Sequence, residues 1–132
     1  MDAAVLGTDV LIDFLERSGR STGTLRAFDR LLVPAAADAE FRAGCDPATR
    51  AGRERLALLD EFLADPAVGF LPAGPAESRK YAQLHRYLRR RGTPVPVHGV
   101  WIAAAALVRD APLATFDRHF AAIPLLRLLS FD

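Results

Sequence analysis

Apolar residues recur along this chain in two rhythms, as short unbroken runs and as longer stretches with helical spacing. The first run, residues 3–6, reads as a buried strand. Val10, Leu11, Phe14 and Leu15 follow at helical spacing and predict a helix over residues 9–18, ended by Gly19. Ser21 or Thr22 is placed to cap a second helix with Leu25, Phe28, Leu31 and Leu32 on one face. Residues 33–37 read as a short strand, and Asp38 as the cap of a helix to residue 43 that Gly44 closes. Asp46-Pro47 has the cap-then-proline order of a helix start. That helix carries Leu56, Leu59, Phe62 and Leu63 on its apolar face and breaks at Asp65-Pro66. Residues 68–71 predict a strand. Pro75 opens a helix bearing Tyr81, Leu84 and Leu88, which finishes on Arg89, Arg90 and Arg91 before Gly92-Thr93-Pro94. Residues 97–99 lead into an apolar helix over 100–109. A strand at 112–115, a helical turn at 117–120 and a last strand at 125–129 complete the pattern.

Strands that alternate with helices in this way predict an α/β fold, with a mostly parallel central sheet and helices on both faces in three layers. In such sheets functional groups gather beyond the carboxyl ends of the strands. The 132 residues suit one domain, and no repeat, linker or low-complexity tract divides them. At 51% hydrophobic residues the chain has enough apolar mass for a sizeable core. The net charge of +1 gives no bulk attraction for nucleic acid, so any such binding rests on local clusters. The single cysteine, Cys45, excludes an internal disulfide and a thiolate metal cluster, which fits a reducing compartment. The N-terminus lacks a signal-peptide pattern, and the longest apolar stretch, 100–108, is short for a membrane span. These features are read as those of a cytoplasmic protein.

Covalent catalysis finds little support: there is no nucleophile elbow, no phosphate loop, and no zinc-like spacing among His85, His98 and His119. Three carboxylates, Asp9, Glu40 and Asp117, fall just after predicted strands. Converging carboxylates are what Mg²⁺ or another hard cation requires, and such an ion activates water and offsets phosphate charge. Each also has a plainer reading. Asp9 and Asp117 suit helix caps, and Glu40 complements a helix dipole. Asp13 lies one turn beyond Asp9, spaced to pair with Arg17.

Four segments resemble the motifs of the PIN-domain family, in particular VapC-type toxins. Val5-Leu6-Gly7-Thr8-Asp9-Val10-Leu11-Ile12-Asp13 is similar to the family's opening D-T-N/D-V-L-I-D segment. Ala39-Glu40-Phe41-Arg42-Ala43-Gly44 is similar to its A-E-L-x-x-G helix. Trp101-Ile102-Ala103-Ala104 resembles its D-L-W-I-A-A helix, and Thr115-Phe116-Asp117-Arg118-His119-Phe120 its T-x-D-x-x-F ending. The resemblance implies a PIN-like fold, an acidic cluster that binds Mg²⁺ or Mn²⁺ and cleaves RNA, a homodimer, and an antitoxin partner. It assigns metal and catalytic roles to Glu40 and Asp117, with Asp9 as a neighbouring candidate. It also exposes two departures. The family's first Asp falls on Gly7, and the Asp of the third motif falls on Gly99, just after His98. Asp9, two residues on along the same strand face, and His98, a softer ligand, are the groups placed to substitute. A glycine at either place also suits a positive φ or a close backbone approach.

Arg86, Arg89, Arg90 and Arg91, near Tyr81 and Tyr87, and a second group at Arg50, Arg53 and Arg55 fit phosphate geometry, while the helix dipole accounts for Arg89 to Arg91 equally well. Trp101 and Ile102 are expected in the core. Two functions stay open at this point. One is a metal-dependent endoribonuclease working through Asp9, Glu40 and Asp117. The other is a PIN-like protein with weak or lost nuclease activity that binds RNA or a protein partner, with Gly7 and Gly99 as natural or engineered losses.

Overall fold

The computed structural model describes residues 2–16 and 19–131. Four strands, β1 (Ala3–Leu6), β2 (Arg30–Pro34), β3 (Val68–Leu71) and β4 (Leu113–Ala114), form one parallel sheet in the order β3-β2-β1-β4. Helices α1 (Thr8–Glu16) and α2 (Thr22–Leu25) connect β1 to β2, and α3 (Ala35–Ala43) and α4 (Arg50–Leu63) connect β2 to β3. Helices α5 (Pro75–Arg91) and α6 (Val97–Arg109) lead back to β4, and a 3-10 turn, Arg118–Ala122, follows it. This is the expected α/β fold.

The strands are apolar because they are covered. Val5 pairs with Leu32 on one side and Leu113 on the other, and all three are buried. The first two connections step in one direction, from β1 to β2 to β3. The third passes back across the sheet to β4. The winding therefore reverses between β1 and β4, and their carboxyl ends flank a crevice at the point where open α/β sheets hold ligands.

Helix α6 buries Gly99, Val100, Ile102 and the run from Ala103 to Ala106. Its small side chains allow close approach to α5, across which Tyr81 stacks on Trp101 at 4.5 Å. Trp101 is half-buried, whereas Ile102 lies in the core as expected. Two arginines join the other helices. Arg42 bridges Asp38 at 3.0 Å and Asp60 at 2.8 Å, linking α3 to α4. Arg55 places Nε 2.8 Å from Glu16 while its guanidinium lies over the Phe41 ring. Its N–H does not point along that contact, so this is an ion pair without a hydrogen bond. Among the described residues no helix is long and apolar enough to cross a membrane.

Several expected boundaries move. Leu31 and Leu32 are in β2 rather than on the second helix, which ends at Leu25. Their β pairing with Ala4, Val5, Val68 and Gly69 overrides the helical spacing. The strand expected at 33–37 becomes the end of β2 and the first turn of α3. Asp38 therefore lies inside that helix and binds Arg42 instead of capping. Helix α4 starts at Arg50, not at Pro47, because the Thr49 hydroxyl accepts from Gly52 N at 3.0 Å. Asp13 accepts from the backbone N–H and hydroxyl of the fully buried Ser21, which holds α1 against α2. The pairing of Asp13 with Arg17 and the helix end at Ser18 lie outside the described residues. The last strand shrinks to one parallel bridge between Leu113 and Leu128, since Leu125 takes a φ of 66° that breaks extended backbone.

Two glycines give opposite expectations. A Cβ on Gly52 meets the Asp46 carbonyl oxygen at 1.9 Å, so α4 has to move to admit it. Around Gly23, in α2, no atom lies within 4 Å. In urea unfolding, Gly52→Ala lowers stability by about 1–3 kcal/mol. Gly23→Ala raises it by about 0.4–1 kcal/mol, because it restricts the unfolded chain.

Candidate functional site

The crevice between the carboxyl ends of β1 and β4 is a cavity of about 270 Å³. The fold brings Asp9, Glu40 and Asp117 to it from three places in the chain, together with Gly7 and His98. Asp9 arrives on the first turn of α1, straight out of β1. Glu40 projects from α3, which β2 leads into without a loop because Pro34 ends the strand and fills the N-cap position. Asp117 sits on the turn after β4 and caps the 3-10 turn.

Each carboxylate is already engaged. Asp9 Oδ2 accepts from Phe116 N at 2.9 Å, Oδ1 accepts from Val10 N at 2.8 Å, and the Thr115 hydroxyl lies 3.2 Å from both oxygens. Thr115 Oγ1 in turn accepts from Asp117 N at 3.1 Å. Glu40 Oε1 accepts a short 2.5 Å bond from the Thr8 hydroxyl, and its Oε2 faces His98 Nε2 at 3.2 Å. Asp117 Oδ1 accepts from His119 N at 2.9 Å and stands 2.7 Å from His119 Nδ1. The His119 backbone N–H, then the imidazole, holds the Asp117 carboxyl below its ordinary value of 3.8.

Neither Gly7 nor Gly99 has a positive φ, since Gly19 and Gly92 alone do so among the described glycines. A left-handed backbone therefore does not explain Gly7 or Gly99. Close approach is a modest constraint. A Cβ on Gly7 lies 3.2 Å from both the Ala114 carbonyl and Asp9 Oδ1, and one on Gly99 lies 3.2 Å from Val95 Cγ1. Asp9 does lean to the space beside Gly7, but with its oxygens spent on the Thr115–Phe116 backbone and hydroxyl. Spacing alone does not reveal this use of Asp9, nor the grip of Thr8 on Glu40, because the partners are 106 and 32 residues apart.

The PIN domain profile matches residues 4–126. This chain belongs to the PIN domain family. Ribonuclease VapC5 of Mycobacterium tuberculosis (strain ATCC 25618 / H37Rv) is 36% identical to it over 123 residues, which is 92% of this chain and 87% of that protein. The crystal structure of VapBC-5 from Mycobacterium tuberculosis, a member of the VapBC family of toxin-antitoxin systems, superposes with a TM-score of 0.75 at 31% identity, covering 96% of this chain and 98% of the other. DNA-bound VapBC from Salmonella typhimurium gives a TM-score of 0.87 at 21% identity, with both chains fully covered, and speaks to the fold.

The resemblance to VapC-type toxins implies a divalent cation, and the acidic pocket of this PIN domain offers a test of fit. A hard cation needs several carboxylate oxygens free to converge. Among the described residues no group of three or more His, Cys, Asp or Glu side chains stands close enough to hold a metal ion. As arranged, these residues do not fit a dication. Their bonds instead lock the two loops of the crevice together.

Two measurements follow. Asp9→Ala leaves Phe116 N without its acceptor and costs about 1–3 kcal/mol in urea unfolding. By NMR the Asp117 carboxyl titrates below the ordinary 3.8 and keeps most of that shift in His119→Ala, because the backbone N–H is the larger cause. A depressed native pKa stabilises the fold above the unfolded value and loses that contribution as pH falls through the native one.

Proposed function

We propose that this PIN protein is VapC-like in fold and partnership but that its metal-dependent RNA cleavage is weak or lost. The observation that carries this reading is the state of the crevice. Two positions where the family resemblance expects carboxylates are Gly7 and Gly99, and the carboxylates that remain are bonded to Thr8, His98, Thr115, Phe116 and His119. Removing two negative charges and their oxygens lowers affinity for Mg²⁺ or Mn²⁺. Glu40 and Asp117 are then the residues on which any residual hydrolysis rests, with Asp9 holding the loops.

The binding side of the function is an antitoxin of the VapB class. Its support is the 36% identity to ribonuclease VapC5 and the 31% identity to the VapBC-5 structure. RNA remains the nucleic-acid class the pocket meets, and self-association into a homodimer belongs to the same reading.

The test is cleavage of single-stranded RNA with Mg²⁺ and with Mn²⁺. The unaltered protein is expected to cut little or not at all. A Gly7→Asp, Gly99→Asp double variant is expected to cut ~10²-fold faster or more, the scale of one electrostatic contributor to catalysis. Adding Glu40→Gln to it abolishes the gain. Metal-dependent cutting by the unaltered protein that Glu40→Gln removes sinks this reading and makes the chain an active ribonuclease.

A further inference from the structure

Thr115 and Asp117 line a second cavity as well as the acidic one. It measures about 160 Å³, and its other walls include Arg20, Phe116 and Arg118. The sign of charge changes across this shared wall. Asp9 and Glu40 line the cavity on one side of Asp117, and Arg20 and Arg118 line the cavity on the other. We propose that Arg20 and Arg118 form a phosphodiester-binding subsite that seats one backbone phosphate of single-stranded RNA beside the acidic pocket, without a metal ion.

Arg20 and Arg118 share with Arg89 and Arg90 the lack of a carboxylate partner among the described residues, and are set apart by the wall they line beside the acidic cavity. Arg42, Arg50, Arg55 and Arg127 are each committed to a carboxylate. Among the described residues neither Arg20 nor Arg118 is paired with one. Arg20 is also positioned in advance. Its guanidinium carbon lies 4.0 Å from the centre of the Phe116 ring, which meets Phe131 edge-on at 5.1 Å. Phe116 is itself fixed through its N–H on Asp9. A guanidinium stacked on a ring keeps its N–H edge free for an anion. The Asp9 bond to Phe116 thus fixes the ring on which the Arg20 guanidinium rests.

The chemistry of the shared wall favours RNA over an acidic peptide. Beyond a phosphate on the arginines, the next group of the ligand enters a cavity lined by the Asp117 carboxylate, whose bonds to His119 use one of its two oxygens, and by apolar walls from Ile12, Ile102 and Phe120. A nucleoside meets these with ribose hydroxyl and base amino donors and with an apolar ring. A peptide rich in Asp and Glu brings further acceptors and like charge.

The inference rests on RNA being the ligand class of the proposed function, and its test is independent of cleavage. Binding of a fluorescein-labelled single-stranded RNA is followed by anisotropy in EDTA over a range of salt. The unaltered protein binds, and Arg20→Ala, Arg118→Ala weakens binding about tenfold at low salt. The slope of log K against log salt falls by about 0.7, the value for one lost phosphate contact with a single strand. Arg118→Ala alone, at an exposed site with no ring contact among the described residues, shows about half of that slope change while thermal stability is unchanged. Arg89→Ala, Arg90→Ala leaves both quantities as they were. Inorganic phosphate competes only at far higher concentration than the RNA. The subsite is overturned by absence of binding in EDTA, by an unchanged slope in the arginine variants, by loss of binding in the Arg89, Arg90 variant, or by a hexaglutamate peptide competing as well as RNA at equal ionic strength. Metal-dependent cutting with intact arginine dependence overturns the proposed function and leaves the subsite standing.

Discussion

The carboxylate of Asp9 is the constraint on which the crevice depends. It leaves β1 on the first turn of α1 and takes the N–H of Phe116 and the hydroxyl of Thr115. These partners follow β4, the strand beside β1. Backbone pairing ends where the Gly7 N–H donates to the Ala114 carbonyl, and beyond that bond no ladder holds the two chain segments together. One charged acceptor with bonds to both segments keeps them parallel for another turn. A charge-assisted bond in a half-buried setting is stronger than the neutral bond it replaces. The cavity behind it keeps its shape for this reason.

That use of Asp9 changes what the pocket is. A metal site also hydrogen-bonds its carboxylates, but it keeps lone pairs of several of them aimed at one point. Here the bonds are made within the protein. Thr8 and His98 divide the two oxygens of Glu40, and His119 takes one oxygen of Asp117. Gly7 and Gly99, which line or border this crevice, bring no charge to it. The remaining acids can then be satisfied by hydroxyls, amides and imidazoles.

Much of this was legible in the sequence. Alternating apolar runs and helical faces gave the parallel α/β sheet. Asp9, Glu40 and Asp117 were found as groups beyond strand ends, and the cavity collects all three. The errors share one cause. Leu31 and Leu32 read as helical because their spacing from Leu25 is helical, yet pairing with both β1 and β3 decides their conformation. Asp38 and Asp46 read as caps because the pattern of residues around each is local, while Pro34 and Thr49 set the actual starts. Contacts distant in sequence were invisible for the same reason. Nothing in the neighbourhood of Thr115 announces that its hydroxyl meets Asp9, and nothing near Ser21 announces Asp13.

The opposite border of the sheet carries a different consequence. Strand β3 is an edge strand made only of Val68, Gly69, Phe70 and Leu71, and the Phe70 ring is half exposed. An uncharged, apolar edge of this kind recruits strands from other molecules. Arg30, on the neighbouring strand, reaches across it. Its guanidinium occupies the space where a Cβ on Gly69 would stand, 2.8 Å away. The missing side chain at residue 69 thus admits a positive charge over an edge that has none of its own. A side chain at residue 69 would displace that guanidinium and leave the edge uncovered by charge.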